Sequence, residues 1–354
     1  MQLSLTSQVV ECLMEAARWA ASADNMQPWR FRWDGATLRL MFDTDDSNAS
    51  GFGIDSPATL LAFGGLIENI TEMADFLGCR LAQPKLFPDD EAKNCVFRCS
   101  IDVSGTAAIR ADWQSHPLFL RHTNRLPYSD RSVPNEVAVA LTALAQSAAR
   151  AVLISDAAGV DQWAALVRQG SSLRFRNPHA HKALDASLRM SEAEAAQGDG
   201  LDVATFFLPP GAKALMSYTR KWSRMAMLNR IGIYKLFSSI EADMVRKAPG
   251  LVLVTGAAGR QGALDAGMLL LRAWRQLNQL GLAVQPYYVV PDQIFRLQDG
   301  TVPEASRAEA LDLERATQAS LPPETTLYMV LRIGFPQNPP VRSRRLPLEK
   351  LLSN

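Results

Sequence analysis

Ala20-Ala21-Ser22-Ala23-Asp24-Asn25-Met26-Gln27-Pro28-Trp29-Arg30-Phe31 is the stretch on which the reading of this 354-residue chain turns. It follows a run of helical periodicity, Val9 to Trp19, and precedes a strand-like run that begins near Trp29. Between them lie small residues, polar side chains that include Ser22, Asn25 and Gln27, and then Pro28-Trp29. Such a corner presents several hydrogen-bonding groups at once, which suits a flat, polar ligand. An ordinary helix–turn–strand corner is the competing reading of the same residues.

Outward from this corner, residues 7–20 read as a helix with Ser7 or Thr6 as N-cap. Trp29–Trp33 and Leu38–Phe42 flank Asp34-Gly35, a hairpin signal. Residues 57–78 read as a long apolar helix stopped by Gly78, followed by a strand at Cys95–Val103. A helix over 134–149 opens with Pro134-Asn135, and Ala151–Ile154 is a short strand. Residues 156–175 are helical, and a helix-rich region continues to about 245. Then come an apolar strand at Leu251–Thr255, a helix over 261–280, an extended segment at Val284–Val290 and a strand at Thr326–Ile333. A Pro- and Arg-rich tail begins at Phe335.

Helices 61–78 and 264–281 look like copies of one unit. Each has a small pair near its start, Gly64-Gly65 and Ala266-Gly267, and ends in Leu-Gly before an apolar stretch. The likeness predicts two related halves, residues 1–115 and 116–354, in the manner of a dimer fused into one chain. Chance likeness between two buried helices is the alternative. The second half would carry a helical insertion at about 176–245 and the basic tail.

Composition is that of a globular chain, with 47% hydrophobic and 21% charged residues. A net charge of +1 gives no global field for nucleic acid. Cys12, Cys79, Cys95 and Cys99 have no metal-like or framework spacing, so reduced, partly buried thiols are expected. No signal-peptide pattern and no apolar run of membrane-spanning length are found, which predicts a cytoplasmic protein.

Arg121-His122-Thr123-Asn124-Arg125 opens the second half. Two guanidinium groups four residues apart at a helix entrance, with a hydroxyl between them, suit a phosphate; a solvated basic turn is the other reading. The order Ala21-Ser22-x-x-Asn25-x-Gln27-Pro28-Trp29 resembles the flavin-binding loop of the nitroreductase family, with Ala21 in place of the usual Pro. Arg121 to Tyr128 is similar to that family's Arg-rich opening motif, and Gly334-Phe335-Pro336 before Arg342-Ser343-Arg344-Arg345 is similar to its C-terminal end. The closest resemblance is to long fused members, the mycobacterial Acg-like group and the nitroreductase domains joined to ThiF-type adenylating domains.

The resemblance implies an α+β nitroreductase-like fold: a central mixed or antiparallel sheet packed by helices, with two related halves forming a pseudo-dimer. It implies FMN as cofactor and NADPH or NADH as transient electron donor, with hydride passed by a ping-pong mechanism to a small organic acceptor. Ser22, Asn25 and Gln27 would hydrogen-bond the ribityl chain or ring edge. Arg121, His122, Thr123 and Arg125 would hold the phosphate end, with Arg344 or Arg345 from the tail and Arg342 as a further candidate. One complete site is expected, since the first half lacks the Arg motif and the second lacks the Asn-x-Gln-Pro-Trp loop. No side chain need act as catalyst, because the flavin carries the hydride. The chain would be a monomer (pseudo-dimer) or a weak homodimer. An FMN-storing protein without efficient turnover, with Tyr287 or Tyr288 filling the substrate space, is an alternative. So is a tailoring oxidase or reductase for one metabolite.

Other signals weigh less. Gly256-x-x-Gly259-x-x-Gly262 lacks the Gly-x-Gly opening of a dinucleotide loop. His179-x-His181 has no accompanying ligand cluster, and no Gly-x-Ser-x-Gly elbow occurs. Residues 212–238 mix Lys and Arg with Leu, Met, Trp and Tyr. They read as a helical insertion lying over the core and lidding the flavin, in preference to a membrane-surface helix or partner site.

Overall fold

A computed structural model describes residues 4–44, 51–103, 109–145 and 147–353. Helix α1 (Leu5–Ala17) is capped one turn earlier than Ser7 or Thr6: the Ser4 hydroxyl accepts the Ser7 N–H at 3.2 Å. Its apolar stripe, Val9, Val10, Leu13, Ala16 and Ala17, is fully buried. Strands β1 (Trp29–Trp33) and β2 (Thr37–Phe42) form the expected hairpin, with Gly35 at φ 94° in its turn. Trp29, Phe31, Leu38 and Leu40 alternate into the core from these strands. Helix α2 (Pro57–Leu77) stops at Gly78 with φ 70°, as Leu-Gly implied. Strands β3 (Arg80–Leu86) and β4 (Cys95–Asp102) complete an antiparallel sheet of order β1-β2-β4-β3.

The second half begins with α3 (Asn135–Ala143), β5 (Arg150–Ile154) and α4 (Ala157–Arg176). The insertion holds α5 (Pro178–Ser187), the two-residue strands β6 (Leu188–Arg189) and β7 (Leu201–Asp202) flanking α6 (Glu192–Ala195), then α7 (Ala212–Thr219), α8 (Trp222–Arg230) and α9 (Ile233–Arg246). Next come β8 (Gly250–Gly256), α10 (Gly259–Gln279), β9 (Ala283–Tyr287), α11 (Val289–Gln298), α12 (Arg307–Ala319) and β10 (Thr326–Gly334). The strands give a second antiparallel sheet of order β5-β8-β10-β9. The expected α+β architecture with antiparallel pairing and helical layers is thus present, with its strands divided between two four-stranded antiparallel sheets and a small parallel pair, β6-β7.

Two expectations are corrected, and one helix is added. The helix over 134–149 ends at Ala143. Val284–Val290 is not one extended segment: its strand ends at Tyr287 and α11 begins at Val289. Val289-Val290 has strand-like composition, but Pro291 sits in the first helical turn, where its missing N–H is not needed. Finally, α12 carries too few apolar residues to register as a periodic stripe.

Residues on either side of 115 pack together along α2 and α10. A Cβ on Gly64 would lie 2.2 Å from the Leu264 carbonyl oxygen, and one on Gly267 would lie 2.3 Å from that of Leu61. Each glycine therefore faces the carbonyl three residues before the other, a reciprocal contact. Glu68 pairs with Arg272 at 2.6 Å and Glu72 with Arg275 at 2.9 Å along the same seam. The C-terminal end then crosses to the first half. The Phe31 N–H donates to the Leu351 carbonyl (2.7 Å) and the Ser353 N–H to the Phe31 carbonyl (2.8 Å). All four cysteines are buried free thiols; burial pushes Cys95 up to about 11 and Cys99 up to about 12.

Candidate functional site

A cavity of about 770 Å³ opens where the halves and the insertion meet. Its volume is in the range of small-molecule and cofactor sites. The loop after α1, the start of α2, residues 121–125, the tail at 342–345, the β9–α11 junction and the insertion supply its walls.

One end is cationic. Arg121 is 4% exposed and donates through Nε and Nη2 to the Trp19 carbonyl, at 3.3 and 2.8 Å. Its guanidinium carbon lies 4.7 Å from the Trp274 ring centre. Arg342 and Arg345 approach the Trp19 ring at 5.7 and 5.9 Å. Among the described residues, no carboxylate lies within ion-pair distance of Arg121, Arg342 or Arg345. Burial, and for Arg121 and Arg345 also neighbouring arginines, pushes all three guanidinium groups down, that of Arg345 to about 10. Burying Arg121, and half-burying Arg345, without a counter-charge is costly, and the exposed Arg342 adds a third positive charge beside them. An anion bound here would offset that cost, and a phosphate matches the guanidinium fork.

His122, Thr123 and Ser22 also line the cavity. His122 Nδ1 donates to the Leu120 carbonyl at 2.7 Å, and burial lowers its pKa from the usual 6.5, so the ring is neutral at pH 7. Ser22 Oγ accepts the Gln27 N–H at 3.0 Å, which leaves its own O–H to donate to a ligand.

The loop itself is bent by three left-handed residues, Asp24 (φ 49°), Asn25 (φ 58°) and Gln27 (φ 53°). Asp and Asn adopt this conformation readily, whereas Gln27 needs support. Its amide provides it: Nε2 donates to the Asn25 and Gly198 carbonyls (3.1 and 2.9 Å), and Oε1 accepts the Leu346 N–H (3.0 Å). Gln27 is 1% exposed and does not reach the cavity. In this position it clips the C-terminal tail to the loop. Asn25 does border the cavity. Its Nδ2 donates to the Gly200 and Arg344 carbonyls (3.1 Å each) and its Oδ1 accepts from Arg345, so its amide is already engaged.

The two tail arginines diverge. Arg345 lines the cavity, whereas Arg344 is exposed and pairs with Glu192. Arg342 is exposed as well, but it lines the cavity and donates to the Phe119 carbonyl at 2.6 Å. Arg125 borders the cavity away from the other arginines: Nη1 donates to Thr205 Oγ1 at 3.0 Å and the group stacks over Phe206 at 5.0 Å.

Beyond Arg125 lies an end that the sequence motifs did not mark. Asp24 accepts from Ser187 at 3.1 Å and Asp292 from Arg296 at 2.9 Å. Glu241 accepts from Arg174 Nη2 at 2.5 Å and from Ser171. Burial raises the carboxyl pKa of both Asp24 and Asp292. Here acids and bases balance, in contrast to the arginine end. Tyr287 and Tyr288 also line the wall, and burial raises both phenols. Of the pair noted as a metal motif, His181 is engaged with the Arg220 carbonyl at 2.8 Å.

No known family profile matches the chain, and no curated protein matches it. Among solved structures it is similar to the FMN- and NADPH-dependent nitroreductase NfnB of Sphigopyxis sp. strain HMH, with 16% identity over 68% of this chain and 97% of that chain, TM-score 0.34. NfnB of Mycobacterium smegmatis, solved with NADPH, shares 15% identity over 67% and 95%, TM-score 0.34. A BluB-like flavoprotein of Clostridium difficile 630 shares 13% over 70% and 99%, TM-score 0.37. A likeness this slight says nothing of the chemistry, which rests on the residues of the cavity.

Proposed function

We propose that this chain is an FMN-dependent oxidoreductase of the nitroreductase type, built as two related halves in one chain, that takes hydride from NADPH or NADH and passes it to a small organic acceptor. The observation that carries the reading is the trio Arg121, Arg342 and Arg345, which have no carboxylate within ion-pair distance among the described residues and border a cavity large enough for a cofactor. Bound there, FMN would supply the two-electron chemistry in two half-reactions.

The chain's own residues would position and select. Arg121, Arg342 and Arg345 would neutralise the phosphate, and the Ser22 and Thr123 hydroxyls would hydrogen-bond the adjoining polar chain. Trp19 and Trp274 hold the guanidinium groups in place by their rings. Asn25 and Gln27 support the site from behind by fixing the tail that carries Arg345. Asp24, whose carboxyl burial favours the protonated form, would be a proton source beside an acceptor. The apolar wall of the insertion would exclude water.

Tyr287 and Tyr288 on the cavity wall favour a second reading, an FMN-storing protein. The volume left in a cavity of about 770 Å³ weighs against it. The test is an anaerobic absorbance spectrum of the purified protein, before and after NADPH and then NADH. A flavin spectrum that bleaches supports the reductase. A flavin spectrum that does not bleach selects storage or a dedicated oxidase. No flavin, and no uptake of added FMN, overturns both.

A further inference from the structure

Between Asp202 and Glu241 the chain has no acidic side chain, and it carries Lys213, Arg220, Lys221, Arg224, Arg230 and Lys235. The whole chain has a net charge of only +1, so this is a local concentration of positive charge. Arg220 is paired with Asp185; among the described residues no carboxylate lies within ion-pair distance of the other five. Lys213, Lys221, Arg230 and Lys235 are exposed.

The same segment exposes large apolar side chains. Phe207, Tyr218, Met227, Ile231, Leu236 and Ile240 are between 43% and 80% exposed. They make up six of the fourteen exposed large apolar residues among those described, within about a tenth of the chain. A solvated lid has no need of them. Phe207, Leu236 and Ile240 also line the cavity, beside Leu208, Leu215 and Met216. On α9, Ile233, Leu236, Phe237, Ile240 and Met244 follow helical spacing, so the inner wall and the outer rim are parts of one apolar stripe. Trp222, Tyr218 and Tyr234, side chains that settle at the level of lipid headgroups, lie among the cations.

We propose that α7, α8 and α9 dock this protein on an anionic lipid bilayer, with the mouth of the cavity against the membrane. Lysine and arginine would draw the surface to acidic headgroups, and the exposed apolar side chains would enter the boundary with the acyl chains. Attachment would be peripheral: among the described residues, no helix is long and apolar enough to cross a membrane. The absence of any acid across this segment is the charge complement of a headgroup layer. One consequence rests on the flavin reading: the acceptor would be a lipid-soluble molecule whose apolar tail follows the stripe into the cavity.

The test is flotation of the full-length protein with vesicles of phosphatidylcholine alone or mixed with phosphatidylglycerol, at low and high salt. The expected result is binding to the mixed vesicles at least about tenfold above binding to the neutral ones, weakened by salt. Replacing Lys213, Lys221 and Lys235 together by Gln should lower that binding about a hundredfold. Met227→Ser with Ile231→Ser should remove the salt-resistant part. None of these side chains lines the cavity, so FMN content should be unchanged. Failure of the wild-type protein to bind mixed vesicles, or equal binding to both vesicle types at low salt, overturns the proposal even where a variant fails to fold. No reductant or acceptor is present, so vesicle binding can fail while flavin uptake succeeds, and the reverse.

Discussion

Arg345→Met distinguishes a cation kept for a ligand from one kept for the fold. In the ligand-free chain, burial and the neighbouring Arg18 and Arg342 push the Arg345 guanidinium down to about 10. That depression corresponds to about 3 kcal/mol of unfavourable electrostatics carried by the folded state. Removing the group relieves this, and it also removes the bonds to Asn25 Oδ1 and the Arg344 carbonyl, about 1 kcal/mol each. Methionine keeps much of the apolar stem. The terms nearly cancel, so ligand-free stability in urea should change by no more than about 2 kcal/mol. The bound state behaves differently, because a buried charge-assisted contact to phosphate is lost at about 2–5 kcal/mol. The dissociation constant for FMN should rise about 30-fold to a few thousand-fold, read by flavin fluorescence quenching on apoprotein. An FMN affinity within about threefold of wild type would refute the phosphate assignment. A ligand-free loss well above about 3 kcal/mol would instead show Arg345 to be a strut.

Gln27→Glu sets a buried carboxylate against the Asn25 and Gly198 carbonyls and should cost about 3 kcal/mol or more in urea unfolding, loosening the tail as seen by limited proteolysis. Gly64→Ala and Gly267→Ala each drive a methyl into a carbonyl across the α2–α10 seam. Each should cost about 3 kcal/mol, with the two equal to within about 1 kcal/mol if the halves are related; a large inequality counts against that relation. The His122 pKa is lowered from 6.5, so the unfolded chain takes up this proton first. Its contribution to stability is therefore complete above pH 6.5 and is lost as pH falls through the lower folded value. Urea unfolding of ligand-free protein at about pH 7.5 and about pH 5.5 should show a smaller acid loss in His122→Asn than in wild type.

What could be read without a structure was local. Asp34-Gly35 and Leu77-Gly78 announce a turn and a helix stop because each needs a positive φ at glycine, and both glycines have it. The polar corner at 22–27 was legible as a site, but the division of labour within it was not. Gln27 resembles a ligand contact in every local respect; the groups that bury it, Gly198 and Leu346, lie 171 and 319 residues away. Arg344 and Arg345 were indistinguishable for a similar reason. Neighbours on an extended chain face opposite ways, and the phase is set by remote bonds, the Leu346 N–H to Gln27 Oε1 and Asn25 Nδ2 to the Arg344 carbonyl. The acid–base end left no motif, since Asp24, Arg174, Glu241 and Asp292 come from four separate segments.

These charges together dictate how a ligand can lie. A molecule with an anionic end and a flat apolar body has two ways to enter the cavity. With the anion at Arg121, Arg342 and Arg345, it supplies the negative charge these groups lack, and its body reaches toward Asp24 and the apolar wall of the insertion. Reversed, it carries the anion to an end where Glu241 is already paired with Arg174 and Asp292 with Arg296, and it leaves the arginines unneutralised, so the charge at the arginine end is not offset. The gradient from unpaired cations to balanced acids therefore selects one orientation before any ring contact is made. That orientation leaves the reactive body next to the wall shared with α7 and α9, where an acceptor entering under the insertion would meet it. Neutralising Arg125 should test this separation of roles: it is coupled to Asp24, not to the arginine trio, so Arg125→Gln should alter acceptor turnover more than FMN retention.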